Sequence, residues 1–399
     1  MIQIGNDKIK DIYVGSDKIK EVYYGSENVW EVIESIQEGY WVHKDTGVKT
    51  YFGLEDPSIE DGLMGYPSWM PNCSEVKLPS GVTGFKTYNW VYEEMGNMEM
   101  TYTGFVHTKE TIMAGNDVLI EVDLSNTSIS SIDAFSFAFC TSLTSITIPV
   151  GVTSIGERCF YNCTSLTSIN IPEGVTSLGD GCFYGTSLTS ITIPVGVTSL
   201  EGYCFFNCTS LTSITLPESL TSIGVRCFTD CYALTSITLP EGVTSLGDGC
   251  FYGTSLSSIT IPESVTSIGK SCFSDCTSLT SITLPVGVVS LGEYCFYRCE
   301  SLTSITLPVG VVSLGDYCFS NCTSLTSITL PESVTSIGIV CFGDCRALTL
   351  ATVLPAIPPS IGWGVFGDVH PSFNIKVLSP YVDDYKTNWN AYADKISAI

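Results

Sequence analysis

A repeat of 22 or 23 residues constrains the fold of this chain more than any other feature. Each copy reads S-L-T-S-I-T-[IL]-P-x-x-V-T-S-[IL]-G-x-x-C-F-x-x-C-T, with small variations. A period of this length is typical of solenoids, in which each copy forms one coil that buries its apolar side chains against its neighbours. One proline marks the same position in successive copies: Pro149, Pro172, Pro194, Pro217, Pro240, Pro262, Pro285, Pro308 and Pro331.

The apolar pattern within one copy predicts how the coil is built. Residues 143–148 read LTSITI and follow the L-x-x-L-x-L rule of leucine-rich repeats, which places Leu143, Ile146 and Ile148 inside. Proline closes this strand because it cannot donate a ladder hydrogen bond. A second short strand follows, with Val152 and Ile155 pointing inward.

The segment after the second strand, residues 156–163, predicts a single helical turn. Cys159 and Cys163 are four residues apart and Phe160 lies beside them, so all three belong to one apolar face. Stacked coils would align the phenylalanines in a continuous column. The equivalent residues are Phe183, Phe205, Phe228, Phe251, Phe273, Phe296, Phe319 and Phe342.

We therefore predict a leucine-rich-repeat solenoid, mostly β, with one short helical turn per 22–23-residue coil and about 11 coils. Two coils, those containing Cys182 and Cys250, are one residue short, and we interpret the missing residue as the second cysteine. Residues 373–377 read as a last strand. Residues 381–399 read as an amphipathic helical cap along Tyr385, Trp389, Tyr392 and Ile396.

The pattern divides the chain into four parts. We predict a short β-repeat attachment segment at 1–33, a small β-rich domain at 34–118, the solenoid at 119–370, and a C-terminal strand with a helical cap at 371–399. The first part repeats every ten residues, at Gly5, Gly15 and Gly25, and each unit reads turn, then strand.

Charge excludes several classes of partner. The formal net charge is -24, and residues 119–354 hold five Lys and Arg against 18 Asp and Glu. Nucleic acid and anionic membranes attract clustered basic residues, so neither is expected as a partner. The N-terminus has no signal-peptide pattern, and no segment has the apolar length of a membrane span, so we expect folding in a cytoplasm.

Of the 18 cysteines, 17 fall at fixed positions of the repeat. We interpret them as small apolar packing residues. Two alternatives stay open: soft-metal ligands, since Cys-x-x-x-Cys pairs such as Cys227 with Cys231 supply two thiolates per coil, and disulfides between neighbouring coils.

The repeat and the closing segment resemble the BspA-like leucine-rich-repeat family of bacterial surface proteins. The resemblance covers about residues 119–399 and rests on the coil motif, the C-F-x-x-C turn and the closing VLSPYVDDYK with Trp389 and YADKI at 392–396. It implies a non-enzymatic binding or adhesive module, often secreted or surface-anchored. Residues 1–33, with their G-x-x-K-I-K-x-[IV]-Y-x-G pattern, are similar to N-terminal attachment segments of tailed-phage virion proteins.

Outward threonines of the first strand form the candidate binding surface. A regular hydroxyl lattice suits glycan or protein contact, and threonine arrays also occur in ice-binding solenoids. The alternative is a solvated strand face, since threonine combines high β propensity with solubility. The candidate residues are Thr144, Thr167, Thr189, Thr212, Thr235, Thr280, Thr303 and Thr326.

We expect no enzyme, cofactor or metal site, because His43, His107 and His370 occur in unrelated contexts without a nucleophile motif. The main prediction is a phage virion structural protein, a tail, fibre or decoration component. Residues 1–33 would bind other virion proteins in a homo-oligomer, and the solenoid would recognise a host-surface glycan or protein. The alternatives are a BspA-like cell-surface adhesin and a hydrolase seated in residues 34–118.

Overall fold

The computed structural model describes residues 115 and 117–399 throughout, together with the backbone of ten short strands between residues 3 and 85. Within residues 117–399 the chain forms stacked coils whose strands pair in parallel with the equivalent strands of the next coil. With the strand that precedes them, these coils make a parallel β-solenoid of about 12 turns with little helix. The predicted fold class is confirmed.

Most coils contribute one strand to each of two faces. What we call the first sheet begins two residues after the repeat leucine, and its members are Glu121–Asp123, Ser145–Thr147, Ser190–Thr192, Ser213–Thr215, Ser258–Thr260, Ser281–Thr283, Ser327–Leu330, Leu350–Val353, Asn374–Val377 and Ile396–Ala398. The second sheet comprises Ser131–Ile132, Ser154–Ile155, Ser177–Leu178, Ser199–Leu200, Ser222–Ile223, Ser245–Leu246, Ser267–Ile268, Ser290–Leu291, Ser313–Leu314, Ser336–Ile337 and Ser360–Ile361.

Side-chain alternation explains why these segments form strands. In Ser145–Thr147 the central isoleucine is buried and its two neighbours are exposed, as expected for a strand with one face on the core. Register between coils is strict, since Ile191 pairs with Ile214 and Ile282 with Ile259. Leu143 and Val152 are fully buried, as the pattern predicts.

The first sheet is interrupted in three coils, those that begin at Leu166, Leu234 and Leu302. The third keeps a single bridge, from Thr306 to Thr283. The first two interruptions lie in the two short coils themselves, at their first strands. The residue missing from each short coil offsets the next first-sheet strand, and backbone pairing shifts with it.

The segment from the repeat glycine to the second cysteine, which we call the cysteine turn, is not a regular helix. No helix is present between residues 117 and 378. Arg158 and Asn162 have φ angles of 49° and 54°, in the left-handed region that most residues avoid. Their backbone N–H groups donate to Asp180 and Tyr184 of the next coil, at 2.8 and 2.7 Å. The cysteine turn therefore hydrogen-bonds to the next coil on a third side of the solenoid. A helix would not make these links, because its N–H groups bond within the same segment.

The predicted phenylalanine column is confirmed. Phe160 is fully buried, and its ring centroid lies 5.5 Å from those of Phe137 and Phe183 with planes 5° apart. Equivalent stacked pairs continue to Phe342 and Phe366. The column fills the centre of the solenoid because a ring from each coil covers the ring of the previous one.

Backbone pairing continues on the N-terminal side of the first full coil. Cys73–Lys77 is parallel to Glu121–Asp123, with Val76 opposite Val122. Tyr40–His43 is antiparallel to Cys73–Lys77, and Lys49–Tyr51 adds a further antiparallel strand. Smaller pairs involve Ile59–Glu60, Leu63–Met64 and Gly84–Phe85. The domain boundary at residue 118 stays a prediction.

Two hairpins lie in the predicted attachment segment. Gln3–Ile4 pairs with Asp7–Lys8, and Tyr23–Tyr24 pairs with Glu27–Asn28, both antiparallel. In the sequence, two residues separate the strands of each pair, and the first of them is glycine, Gly5 or Gly25, which is typical of hairpin sequences. The unit around Gly15 lies outside the described residues.

The C-terminal cap differs from the single helix that the sequence predicts. A 3-10 turn at Ser379–Tyr381 leads into an α-helix at Val382–Asn388 and a second 3-10 segment at Asn390–Lys395. Ile396–Ala398 is then a strand, parallel to Asn374–Val377. The helix ends early because the open edge of the first sheet offers backbone partners to the last residues.

Candidate functional site

The outer face of the first sheet is a field of exposed, uncharged hydrogen-bonding groups. Each coil places two such residues on it, at the third and fifth positions of the leucine motif, as in Ser145 and Thr147. We call this surface the strand face. It consists of Ser145, Thr147, Ser168, Asn170, Ser190, Thr192, Ser213, Thr215, Ser236, Thr238, Ser258, Thr260, Ser281, Thr283, Ser304, Thr306, Ser327 and Thr329, all of which are exposed.

The threonines predicted from the sequence lie at the start of each first strand, beside the strand face. All eight are exposed. The hydroxyl of Thr212 donates to the carbonyl of Thr189 at 2.9 Å, and that of Thr280 to the carbonyl of Ser257 at 3.0 Å. These hydroxyl protons are therefore used to link coils. Similar bonds are made by Thr144, Thr189, Thr303 and Thr326.

A shallow groove of about 400 Å³ interrupts the strand face at the first break in the sheet. Sequence reasoning missed it. Its polar lining consists of Ser168, Asn170, Ser190, Thr192, Ser213 and Thr215.

Apolar side chains and one carboxylate complete the groove. Ile169 is only partly buried, and Ile171, Ile191 and Pro194 supply the rest of the apolar lining. Glu173 is the one charged residue among the lining side chains. The groove can therefore donate and accept hydrogen bonds with neutral groups, and it holds no cation to attract an anionic ligand.

The short coil explains why the groove forms at this place. Thr186 occupies the position of the second cysteine, since its N–H donates to Phe183 O at 3.2 Å as the N–H of Cys163 donates to Phe160 O at 3.1 Å. The residue that is missing is the next one in the chain. The interpretation that the cysteine itself was deleted is wrong.

The second cysteine of each coil makes a hydrogen bond across coils. The thiol of Cys163 donates to Phe137 O at 3.0 Å, and that of Cys231 to Phe205 O at 3.2 Å. In the short coils Thr186 and Thr254 lie 3.3 Å from the thiols of Cys208 and Cys276. The cysteine turn is thus a buried network of weak donors and backbone acceptors.

Burial shields these thiols from solvent. All 17 repeat cysteines are buried, and they form no disulfides with one another. Burial raises the pKa of Cys208 and Cys276 to about 12, although a hydrogen bond with the neighbouring threonine acts in the opposite direction. The thiolate is the reactive and metal-binding form, and it is scarce at such pKa values. Among the residues that the structure describes, no group of three or more His, Cys, Asp or Glu side chains is arranged to hold a metal ion.

The turn after each proline carries either a carboxylate or an apolar side chain on the surface. Val150 is 90% exposed and Val309 81%. Acids occupy this position at Glu173, Glu218, Glu241, Glu263 and Glu332. Because the acids are absent from several coils, this edge does not form a continuous carboxylate ladder.

His370 is the histidine that lies within residues 117–399. His370 Nδ1 lies 2.8 Å from the hydroxyl of Ser372 in the loop that precedes the last coil strand. This pair lies far along the chain from the groove residues. Among the described residues, no helix has the length and apolar character needed to cross a bilayer.

A family model settles the relationship that the coil motif suggests. The model of the BspA type leucine rich repeat region, with six copies, matches residues 130–254 and 244–368. The chain belongs to the BspA-type leucine-rich repeat family. The described coils of this BspA-type protein include both short coils and the groove, so the groove lies inside the family's repeat region.

Several solved structures are similar to this BspA-type chain. A leucine-rich repeat protein from Bacteroides ovatus is 25% identical, with 88% of this chain and 98% of that chain covered and a TM-score of 0.49. A leucine rich cell surface protein from Faecalibacterium prausnitzii is 23% identical, with coverage of 94% and 98% and a TM-score of 0.47. A leucine-rich repeat protein from Eubacterium ventriosum is 26% identical, with coverage of 65% and 84% and a TM-score of 0.42. No curated protein matches the chain.

Proposed function

We propose that this BspA-type protein is a non-enzymatic binding protein of the bacterial cell surface, and that its strand face recognises a glycan or a protein. The observation that carries the proposal is the strand face itself, which presents paired, exposed, uncharged side chains in nine successive coils. Membership of the family agrees with a binding or adhesive role.

Rigidity supports recognition by this face. The phenylalanine column and the cross-coil hydrogen bonds hold each strand in place before any ligand arrives. A preformed surface loses little conformational freedom on binding, so many weak contacts add to a useful affinity. Repetition of the same pair of side chains also offers several equivalent contacts to one large ligand.

Binding by the strand face is tested with two arginine variants of the full chain. Thr192→Arg with Thr215→Arg places bulky charges on the strand face, and Thr176→Arg with Thr198→Arg places them at exposed positions directly before two second-sheet strands as a matched control. Binding is measured on immobilised laminarin, mannan, amylose, hyaluronan, chitosan, casein and gelatin. We expect the first variant to lose binding to the probe that the wild type holds. Equal binding by both variants would overturn the proposal.

Surface location is tested separately, by protease treatment of intact cells that express the protein at its natural level. Surface display predicts cleavage of the protein while cytoplasmic markers stay intact. Protection of the protein until the cells are lysed would contradict it.

A phage virion component is the second candidate function, and the two hairpins in residues 1–33 are the observation that favours it. They repeat one small unit, Gln3–Lys8 and Tyr23–Asn28, ahead of the solenoid, and such units need a partner for stability. This candidate predicts that the protein is found in purified particles and that deleting residues 1–33 abolishes its incorporation. Absence from purified particles would exclude it.

A further inference from the structure

The conditions that create the groove occur twice in this chain. Residues 172–188 and 240–256 are identical, PEGVTSLGDGCFYGTSL, and the second segment follows the first by 68 residues, or three coils. Each segment completes one short coil, whose first strand is interrupted; these coils begin at Leu166 and at Leu234. The strand face therefore has two periods: one pattern recurs in every coil, and a second recurs after three coils.

Burial supports the equivalence of the two places. Ile169 and Ile237, which occupy the same position in the two short coils, are both only partly buried. Ile305 occupies that position at the third interruption, where the coil has its full length, and it is 8% exposed and counted in the core. Two coils further along, the two places differ, since Ile214 is partly buried and its counterpart Ile282 is 6% exposed.

The second place carries the same chemistry as the groove. Its counterparts to the polar lining are Ser236, Thr238, Ser258, Thr260, Ser281 and Thr283, all exposed. Glu241 stands where Glu173 stands in the first. The two sets differ at one side chain, Asn170 against Thr238. Neighbouring strands lie about 4.8 Å apart, so three coils separate the two sets by about 14 Å along the solenoid.

The lining favours a glycan over a protein as the occupant. Protein interfaces are enriched in aromatic side chains, Met and Arg and depleted in Ser, whereas the groove is lined mainly by Ser, Thr, Asn and Ile. Neutral hydroxyls and an amide match the donors and acceptors of sugar hydroxyls. Anionic polymers are disfavoured because residues 119–354 carry 18 acidic against five basic side chains.

We propose that the strand face holds two equivalent subsites, one at Asn170 and Thr192 and one at Thr238 and Thr260, which together bind one linear, uncharged polysaccharide. This inference rests on the proposed function of the strand face and names its ligand class. A regular polymer presents the same hydroxyl pattern at fixed intervals, so one chain can engage both subsites. Engagement of both raises the effective affinity without any new kind of contact.

Stoichiometry tests the two subsites on the full chain. Isothermal titration is carried out with disaccharides, which are too short to reach both subsites, and with long chains of laminarin, mannan and amylose, with hyaluronan and chitosan as charged controls. We expect two disaccharides per protein for one neutral sugar, and tighter binding of its long chain by about 100-fold. The inference would be overturned if hyaluronan were the only glycan that binds. It would also be overturned if chitosan were the only one and its binding were lost in high salt.

Alanine variants assign the sites. Asn170→Ala with Thr192→Ala, or Thr238→Ala with Thr260→Ala, should reduce the number of bound disaccharides from two to one and weaken binding of the long chain by at least about tenfold. Thr147→Ala with Thr329→Ala changes the same face outside both subsites and should leave both values unchanged. One site in the wild type, or equal loss in the control, would overturn the two-subsite arrangement.

The outcomes separate this inference from the proposed function. Suppose that no neutral glycan binds, but that casein or gelatin binds and this binding is lost in the strand-face arginine variant. The polysaccharide inference is then overturned and the proposed function stands. If no probe depends on the strand face, both are overturned.

Discussion

The thiol of Cys231 lies 3.2 Å from the carbonyl oxygen of Phe205, one coil earlier, and donates a hydrogen bond to it. The same relationship links Cys322 to Phe296 and Cys345 to Phe319. A buried carbonyl without a partner is costly, so the second cysteine does more than fill space. In the two short coils threonine replaces the second cysteine, and its hydroxyl donates to the phenylalanine carbonyl of its own coil, Thr186 to Phe183 O and Thr254 to Phe251 O, both at 3.0 Å.

Replacement of Cys231 should therefore depend on whether a donor is kept. Cys231→Ala removes the donor and leaves a small cavity, so we expect a loss of about 1–3 kcal/mol in unfolding free energy. Cys231→Ser keeps a donor and should lose less. Urea unfolding followed by circular dichroism measures both. A serine variant no more stable than the alanine variant would show that the hydrogen bond contributes nothing.

Thiol reactivity should report the burial of the repeat cysteines. The chain has 18 cysteines, of which 17 are buried in the coils. In the full chain carrying Cys73→Ser, we expect no thiol to react rapidly with Ellman's reagent at pH 8, and 17 to react in guanidinium chloride. A folded sample in which several thiols react within seconds would contradict the assignment of the cysteines to the core.

Stability should fall in alkali because of the same thiols. Their ordinary pKa is 9.0, and burial raises that of Cys208 and Cys276 to about 12. Between these values the unfolded chain releases protons that the folded chain keeps, so each such thiol lowers stability by about 1.4 kcal/mol per pH unit. Below pH 9 their contribution is fully present. Melting temperatures measured from pH 7 to 11 should be level at first and then fall steeply; a flat profile to pH 11 would contradict this account.

The C-terminal cap should depend on one hydroxyl. Tyr385 is fully buried and its hydroxyl donates to Pro355 O at 2.8 Å. Tyr385→Phe leaves that carbonyl without its partner, and we expect a loss of about 1–2 kcal/mol. Tyr381→Phe, at a partly buried cap position, is the matched control and should be close to neutral. Equal effects of the two substitutions on urea unfolding would argue against the hydrogen bond.

The period of the sequence was sufficient to predict the structural features that recur in every coil. The inward positions of Leu143 and Phe160 and the parallel stacking follow from a pattern that recurs in every coil, so errors at one copy are corrected by the others. The exposed threonines such as Thr212 also lie where the alternation places them. Their hydrogen bonds to the preceding coil could not be predicted, because they depend on how far one coil is displaced from the next.

What the sequence failed to predict depends on contacts between elements. The groove at Asn170 arises where a shortened coil offsets two strands, and only stacking reveals which residue is missing. Ile396 fits a helical face, yet it lies in a strand because the sheet edge provides partners. Positive φ angles at Arg158 and Asn162 replace the expected helical turn because their N–H groups bond to the next coil. The 22–23-residue period of the sequence carries none of this information.

The most direct test of recognition by the strand face is hydrogen–deuterium exchange of the full chain, with and without the probe that it binds most tightly. The account predicts that the probe slows exchange in first-sheet peptides from residues 166–215 and 234–283 and leaves the second sheet unchanged. Protection confined to the second sheet or to the cysteine turns would contradict it.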